Sequence, residues 1–328
     1  MVKRMNRRTA RRLSLLILTA ALLALPFLAN SYILQVAVYC GIYIILASSL
    51  NLLVGYTGIF SMGHVAFYCV GAYTSALLAT KLGLPFAVCF LAGGAVAAVI
   101  GAVVGVAALR LNDVFLAFAT MGLGEVIRIV IQNAAFTNGA LGITGIPMPG
   151  WFGRQMSRVE FYYMTFVLVA LIIFLLYRLV NSRTGRALKS IRDDANAAAS
   201  LGVPVFRYKM QAMVLSCFLA GLAGSLYASF VQYINATNFV INVSINIIAM
   251  VAIGGMGTVV GPVLGAVLLQ VLPEAIRFLS NYRQLMFGAA LVISIMFAPK
   301  GLAGLSGKRA RVVAGLPASA DSQTKKEV

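Results

Sequence analysis

Charge is scarce in this chain. Asp, Glu, Lys and Arg together make up 10% of its 328 residues, where a soluble globular protein carries about 25%. That deficit excludes an ordinary soluble enzyme, a disordered polypeptide and a collagen-like chain. Histidine is nearly absent: His64 stands alone, with no second ligand beside it, so a zinc centre is not expected. The four cysteines, Cys40, Cys69, Cys89 and Cys217, sit in apolar stretches without metal or redox spacing. They read as small hydrophobes, and no disulfide framework is implied. A phosphate-binding loop is missing too. The nearest string, Gly304-Leu305-Ser306-Gly307-Lys308-Arg309, has the wrong spacing and no Ser or Thr after the lysine. The glycines at 254–261 do not form a dinucleotide fingerprint. No cofactor is expected, and any ATP must be used by another chain.

What is abundant is apolar sequence: 61% hydrophobic residues and a mean hydropathy of +0.94. At about 20 apolar residues per crossing, the expected fold is an all-α polytopic membrane protein. Apolar runs at 13–29, 32–54, 59–80, 84–109, 114–134, 161–180, 210–232, 240–256, 259–272 and 285–298 give about ten spans, with eight to ten the range. The 259–272 run is short and follows Gly254, Gly255, Gly257 and Gly261-Pro262, which leaves a re-entrant segment open as an alternative. The first run follows six basic residues and resembles a cleaved leader with a weak twin-Arg hint. Its length and poor cleavage pattern favour an uncleaved span.

Charge placement orients the spans. With the N-terminus in the cytoplasm, twenty of the 26 basic residues fall on the cytoplasmic side, five fall outside, and Arg128 lies within a span. That asymmetry is the positive-inside pattern. The net charge of +18 is therefore a topology signal, and no nucleic-acid partner is expected. Three non-membrane stretches remain, each too short for a catalytic domain. They are a periplasmic loop at 135–160, rich in Gly and Pro with the single Trp151; a cytoplasmic segment at 181–209; and a disordered cytoplasmic tail at 300–328. The basic N-terminus is 1–12 and the permease domain 13–299.

Few polar groups interrupt the spans. Glu125 lies near the middle of 114–134, where an isolated charge costs about 2.5–3.5 kcal/mol on insertion scales. Arg128 follows three residues on, on the same helical face, and can neutralise it. Two readings stand: a polar contact lining a pathway, or an internal ion pair facing the bundle interior. The self-satisfying pair favours the second. The string from Gly55 to His64 also breaks two apolar runs. Thr57 or Ser61 could cap a new helix whose N-terminus lies at membrane depth; a plain turn, with His64 hydrogen-bonded inside, fits equally. Small-residue pairs such as Gly101 and Gly105, or Gly221 and Gly224, read as packing contacts.

The cytoplasmic segment predicts a short helix over 184–202. Leu188, Ile191, Ala195, Ala198 and Gly202 share one small, weakly apolar face, with Arg186 among the charges around it. Gly202 and Pro204 end it. A lipid-surface helix would carry bulkier apolar groups, so this face suits a groove on another protein.

Taken together these stations resemble LivM-type permease subunits of bacterial branched-chain amino acid ABC importers, over about 32–305. They are Ser61-Met62-Gly63-His64, Thr120 to Glu125 with Arg128, Ser182-Arg183-Thr184-Gly185-Arg186-Ala187, Leu219 to Ala228, Gly254-Gly255-Met256-Gly257-Thr258 and Pro299-Lys300-Gly301-Leu302. The chain departs from the family pattern at Thr137-Asn138-Gly139 and Asp193-Asp194. The resemblance implies a multi-pass inner-membrane permease that pairs with a homologous LivH-type permease. It also implies two ATPases of the LivG and LivF kinds, and a periplasmic amino-acid-binding protein. Residues 184–202 match the family's ATPase-coupling segment. Five spans on each side of the outer loop suggest an inverted repeat. A urea or short-amide permease of the same family is the near alternative. A stand-alone secondary transporter and a membrane-embedded scaffold without transport are the alternatives of other classes.

Overall fold

A computed structural model describes residues 30–111, 113–151 and 154–275, with Pro26, Gly288, Gly301 and Leu302 as isolated positions. The expected spans at 13–29 and 285–298, the basic N-terminus and the 300–328 tail lie outside the described residues.

Helices dominate: α1 (Ser31–Thr57), α2 (His64–Lys81), α3 (Phe86–Ala108), α4 (Asp113–Asn133), α5 (Arg158–Val180), α6 (Arg183–Asp193), α7 (Ala195–Ser200), α8 (Val205–Val231), α9 (Ile241–Gly254) and α10 (Gly261–Ala275). Among the described residues, six helical segments are long and apolar enough to cross a membrane: Ser31–Thr57, Phe86–Ala108, Val114–Asn133, Arg158–Val180, Val205–Val231 and Ala236–Gly254. The apolar run at 210–232 becomes a longer helix, because α8 starts at Val205 just after Pro204 and carries Arg207 and Lys209 in its first turns.

The centre of the molecule is α1, α2 and α8. Residues from His64 to Ala76 of α2 are almost all buried, and small residues make that closeness possible. A Cβ on Gly71 would lie 2.2 Å from the Gly221 carbonyl oxygen, and one on Gly224 would lie 2.1 Å from that of Tyr68. Gly101 and Gly105 on α3 meet Cys217 and Met210 of α8 in the same way. The small pairs are thus packing contacts, as their spacing suggests. The outward faces of α3, α4 and α5 are apolar, including Val99, Val103, Phe115, Phe118, Val167 and Phe174. Such a surface is tolerable where hydrocarbon surrounds it.

The helices sort into two ends. At one end Lys81 Nζ donates to the Phe136 carbonyl at 2.9 Å. There β1 (Ile143–Thr144) pairs antiparallel with β4 (Tyr233–Ile234), register Ile143↔Ile234. Tyr32 hydrogen-bonds Glu274 there as well. The loop at this end also holds a second ribbon, β2 (Gly150–Trp151) with β3 (Arg154–Gln155). Ser157 and Glu160 form a capping box that starts α5. At the opposite end lie the C-terminus of α1, the α6–α7 segment and the turn between α9 and α10.

The helices α2 and α9 are each shorter than the apolar layer of a membrane is thick. The 14 residues of α9 reach about 21 Å and the 18 of α2 about 27 Å, against about 30 Å of hydrocarbon. Each follows a 27-residue helix that ends in a left-handed residue, Gly58 (φ 76°) after α1 and Gln232 (φ 61°) after α8.

Candidate functional site

The break between α1 and α2 is built around a backbone contact. Gly63 sits against α4 so closely that a Cβ would lie 1.9 Å from the Thr120 carbonyl oxygen. Thr120 Oγ1 accepts from the Met62 N–H at 3.1 Å. Gly63 is therefore the N-cap of α2, without a side-chain cap bond. The expected caps are not used in that way. Thr57 turns back to the Leu53 carbonyl at 2.5 Å, and the Ser61 hydroxyl is buried without a partner among the described residues. A cap role went to glycine because only glycine fits under Thr120.

His64 opens α2 and is fully buried. Its Nε2 lies 2.8 Å from Ser49 Oγ. Ser49 donates its one proton to the Leu46 carbonyl, also at 2.8 Å, so Nε2 must carry the hydrogen. Nδ1 is then an acceptor, without a partner among the described residues. The next N–H of α2, from Val65, goes to Ser244 Oγ of α9 at 3.1 Å. That bond ties the beginnings of the two short helices together.

Beside this junction lies a cavity of about 360 Å³ whose walls include Val65 from α2, Met121, Glu125 and Arg128 from α4, and Val240 and Ile241 at the start of α9. Arg128 Nε donates to both carboxylate oxygens of Glu125 at 3.0 Å. Its Nη1 donates to Gln132 Oε1 at 2.7 Å. The pair forms as expected, but within this chain it does not face the bundle interior. The Glu125 side chain is 47% exposed and that of Arg128 17%. The reason is that α4 lies at the edge of the bundle and turns Gly63's contact strip, Thr120 and Gly124, inward instead.

At the end that holds α6, a second cluster joins three elements. Arg192 Nη1 donates to the Gly55 carbonyl at 2.6 Å, closing the C-terminal turn of α1, where a cation is favoured. Asn51 accepts from the Gly257 N–H at 2.9 Å and donates to the Thr258 carbonyl at 2.8 Å. Gly257 is left-handed (φ +74°), and a Cβ there would lie 2.9 Å from the Gly55 carbonyl oxygen and displace the Arg192 guanidinium. The tip of the α9–α10 hairpin is thereby latched to α1 and α6. Sequence reasoning missed this latch. The lone Asn in an apolar run was its one available signal.

The segment expected to form one helix over 184–202 forms two. Asp194 is extended (φ −157°, ψ 112°), and its Oδ1 caps α7 through the N–H groups of Asn196 and Ala197. A side chain that caps locally competes with helix continuation, which explains the break. Leu188, Ile191 and Ala198 are buried against the chain itself, and Ala195 is half-buried. The expected docking face is thus largely covered by its own protein. Arg186 and Gly202 are exposed, and Leu201 is 85% exposed at the tip.

Long apolar helices packed with two short ones, and a cavity at the junction of the short ones whose otherwise apolar wall carries Glu125 and Arg128, fit a multi-pass helical membrane protein of the permease type. The chain belongs to the family described as branched-chain amino acid transport system, permease component, whose model matches residues 32–295. It is 33% identical to the high-affinity branched-chain amino acid transport system permease protein LivM of Salmonella typhimurium, covering 93% of this chain and 77% of that protein. It is 34% identical to LivM of Escherichia coli, covering 89% and 74%. The LivH permease of Escherichia coli is 25% identical over 80% of this chain and 91% of its own length. No solved structure matches.

Proposed function

We propose that this chain is the LivM-type transmembrane subunit of an ATP-binding-cassette importer for branched-chain amino acids. The observation that carries this is the identity to two LivM permeases over most of the chain. The likeness to LivH permeases supports pairing with a homologous second permease. LivG- and LivF-type ATPases bind below, and a periplasmic binding protein delivers leucine, isoleucine or valine.

In this reading the α6 end is cytoplasmic and the β1–β4 end periplasmic, in an inner membrane crossed about ten times. The positive-inside asymmetry supports that orientation. An inverted repeat accounts for the parallel histories of α1–α2 and α8–α9: equal long helices, left-handed ends, then a short helix. Residues 181–209 transmit ATPase motion.

The test is reconstitution. This chain with its second permease, both ATPases and the binding protein should accumulate labelled leucine in proteoliposomes in an ATP-dependent manner. Uptake by this chain alone, driven by an ion gradient, would refute the reading.

A further inference from the structure

We propose that the cavity between the starts of α2 and α9 is an intramembrane station for the transported solute. It would hold a zwitterionic amino acid with an aliphatic side chain. This rests on the importer reading above and names where, within this chain, the solute pauses.

Three features of the cavity converge on that ligand. Its volume, about 360 Å³, falls among small-molecule sites of about 300–1,000 Å³. Its charged wall carries one group of each sign, Glu125 and Arg128, on one helix face and bonded to each other. A zwitterion that inserts beside them sets its ammonium against the carboxylate and its carboxylate against the guanidinium. The four charges then compensate one another, which a single uncompensated ion in a membrane would not allow. The remaining wall, which includes Val65, Met121, Val240 and Ile241, is apolar and takes the aliphatic side chain. Val65 and Ile241 also lie in the first turns of α2 and α9. Those turns carry partial positive charge, so the carboxylate end is favoured toward the junction that Ser244 ties.

The pair's own geometry agrees with a pathway role. An ion pair meant only to hold helices together would be enclosed by them. Here the Glu125 side chain is 47% exposed and is part of the cavity wall, and Gln132 keeps Arg128 oriented when Glu125 engages a ligand.

The experiment uses the reconstituted importer. The native cysteines are free and buried, so a single Val240→Cys reports the cavity. A small cationic methanethiosulfonate should modify it, and leucine-loaded binding protein with ATP should protect it relative to unloaded binding protein with ATP. No modification, or modification indifferent to leucine, overturns the station. Val240→Phe supplies a second readout. With normal subunit recovery, narrowing the cavity should lower leucine uptake relative to valine uptake by about tenfold. An unchanged ratio overturns the proposal. Leucine uptake by the unsubstituted importer separates the two failures. If leucine is imported but the cysteine is not protected, the station alone is wrong. If the importer carries another solute and not leucine, the importer reading is wrong.

Discussion

At the scale of single residues, glycine decides where this protein can break a helix. Gly63 and Gly122 lie in the same neighbourhood, yet their surroundings differ. A Cβ on Gly63 meets the Thr120 carbonyl at 1.9 Å, whereas one on Gly122 meets nothing within 4 Å. Gly63→Ala must push α4 away and loses the Met62–Thr120 bond. Overpacking of this kind costs about 1–3 kcal/mol, so the thermal midpoint of the purified importer should fall. Gly122→Ala should leave the midpoint unchanged or raise it slightly, because alanine is the better helix former. Equal midpoints for the two variants would show that the α2–α4 contact does not support the fold. The sequence places Gly63 in a break between apolar runs and Gly122 within a span, but assigns neither a close contact. Only the neighbouring carbonyl decides which one is crowded.

At the scale of elements, the α6–α7 segment has two faces with different work. The buried face, Leu188 and Ile191 with Ala198, holds the segment to the membrane body, and Arg192 latches it to α1 beside the α9–α10 tip that Asn51 holds. In the importer proposed above, the exposed tip, Leu201, is the part left for an ATPase subunit. Leu201→Arg should therefore leave membrane insertion intact and lose the ATPase subunits on gentle purification. Arg192→Ala should do the reverse. The ATPases stay bound, while hydrolysis stimulated by loaded binding protein drops several-fold, because the latch loses a charge-assisted hydrogen bond of about 1.5–3 kcal/mol, less where solvent screens it. Subunit recovery and stimulated ATP hydrolysis measure both. Normal coupling in Arg192→Ala would remove the latch from the transmission path. The helix period correctly grouped Leu188, Ile191 and Ala198. It did not show which way that group turns, since a small apolar face fits a partner's groove and the chain's own helices equally well.

At the scale of the whole molecule, the charged segments are short and no nucleotide-binding loop occurs in the sequence. The chain purified alone should therefore show no saturable ATP binding by equilibrium dialysis or calorimetry. Saturable binding would place the energy source in this subunit and require a different importer architecture. The two-ended sorting of the helices belongs to this scale as well. The contacts of Lys81 with Phe136 and of β1 with β4 gather one set of connections. Those of Arg192 with Gly55 gather the other. The alternation expected from charge placement puts Lys81, Phe136, Ile143 and Ile234 together on one side, and Gly55 and Arg192 on the other.

The sequence by itself determined the class of this protein, because burying apolar surface in hydrocarbon demands long apolar runs and those are visible in one dimension. It also determined the Glu125–Arg128 pair, whose partners lie within one helical turn, and the small-residue strips that let helices close. Local spacing suffices for each. The direction of the pair, the latch of Asn51, Gly257 and Arg192, and the break at Asp194 were decided by tertiary structure. Each depends on an atom far away in the chain or on a competition between a local cap and a longer helix. The Thr120 carbonyl excludes a side chain at Gly63, and the Gly55 carbonyl selects Arg192 from several similar cations. The position of α4 at the bundle edge turns a seemingly internal ion pair toward a cavity. Sequence period reports which residues share a face; only the packed neighbours determine what that face meets.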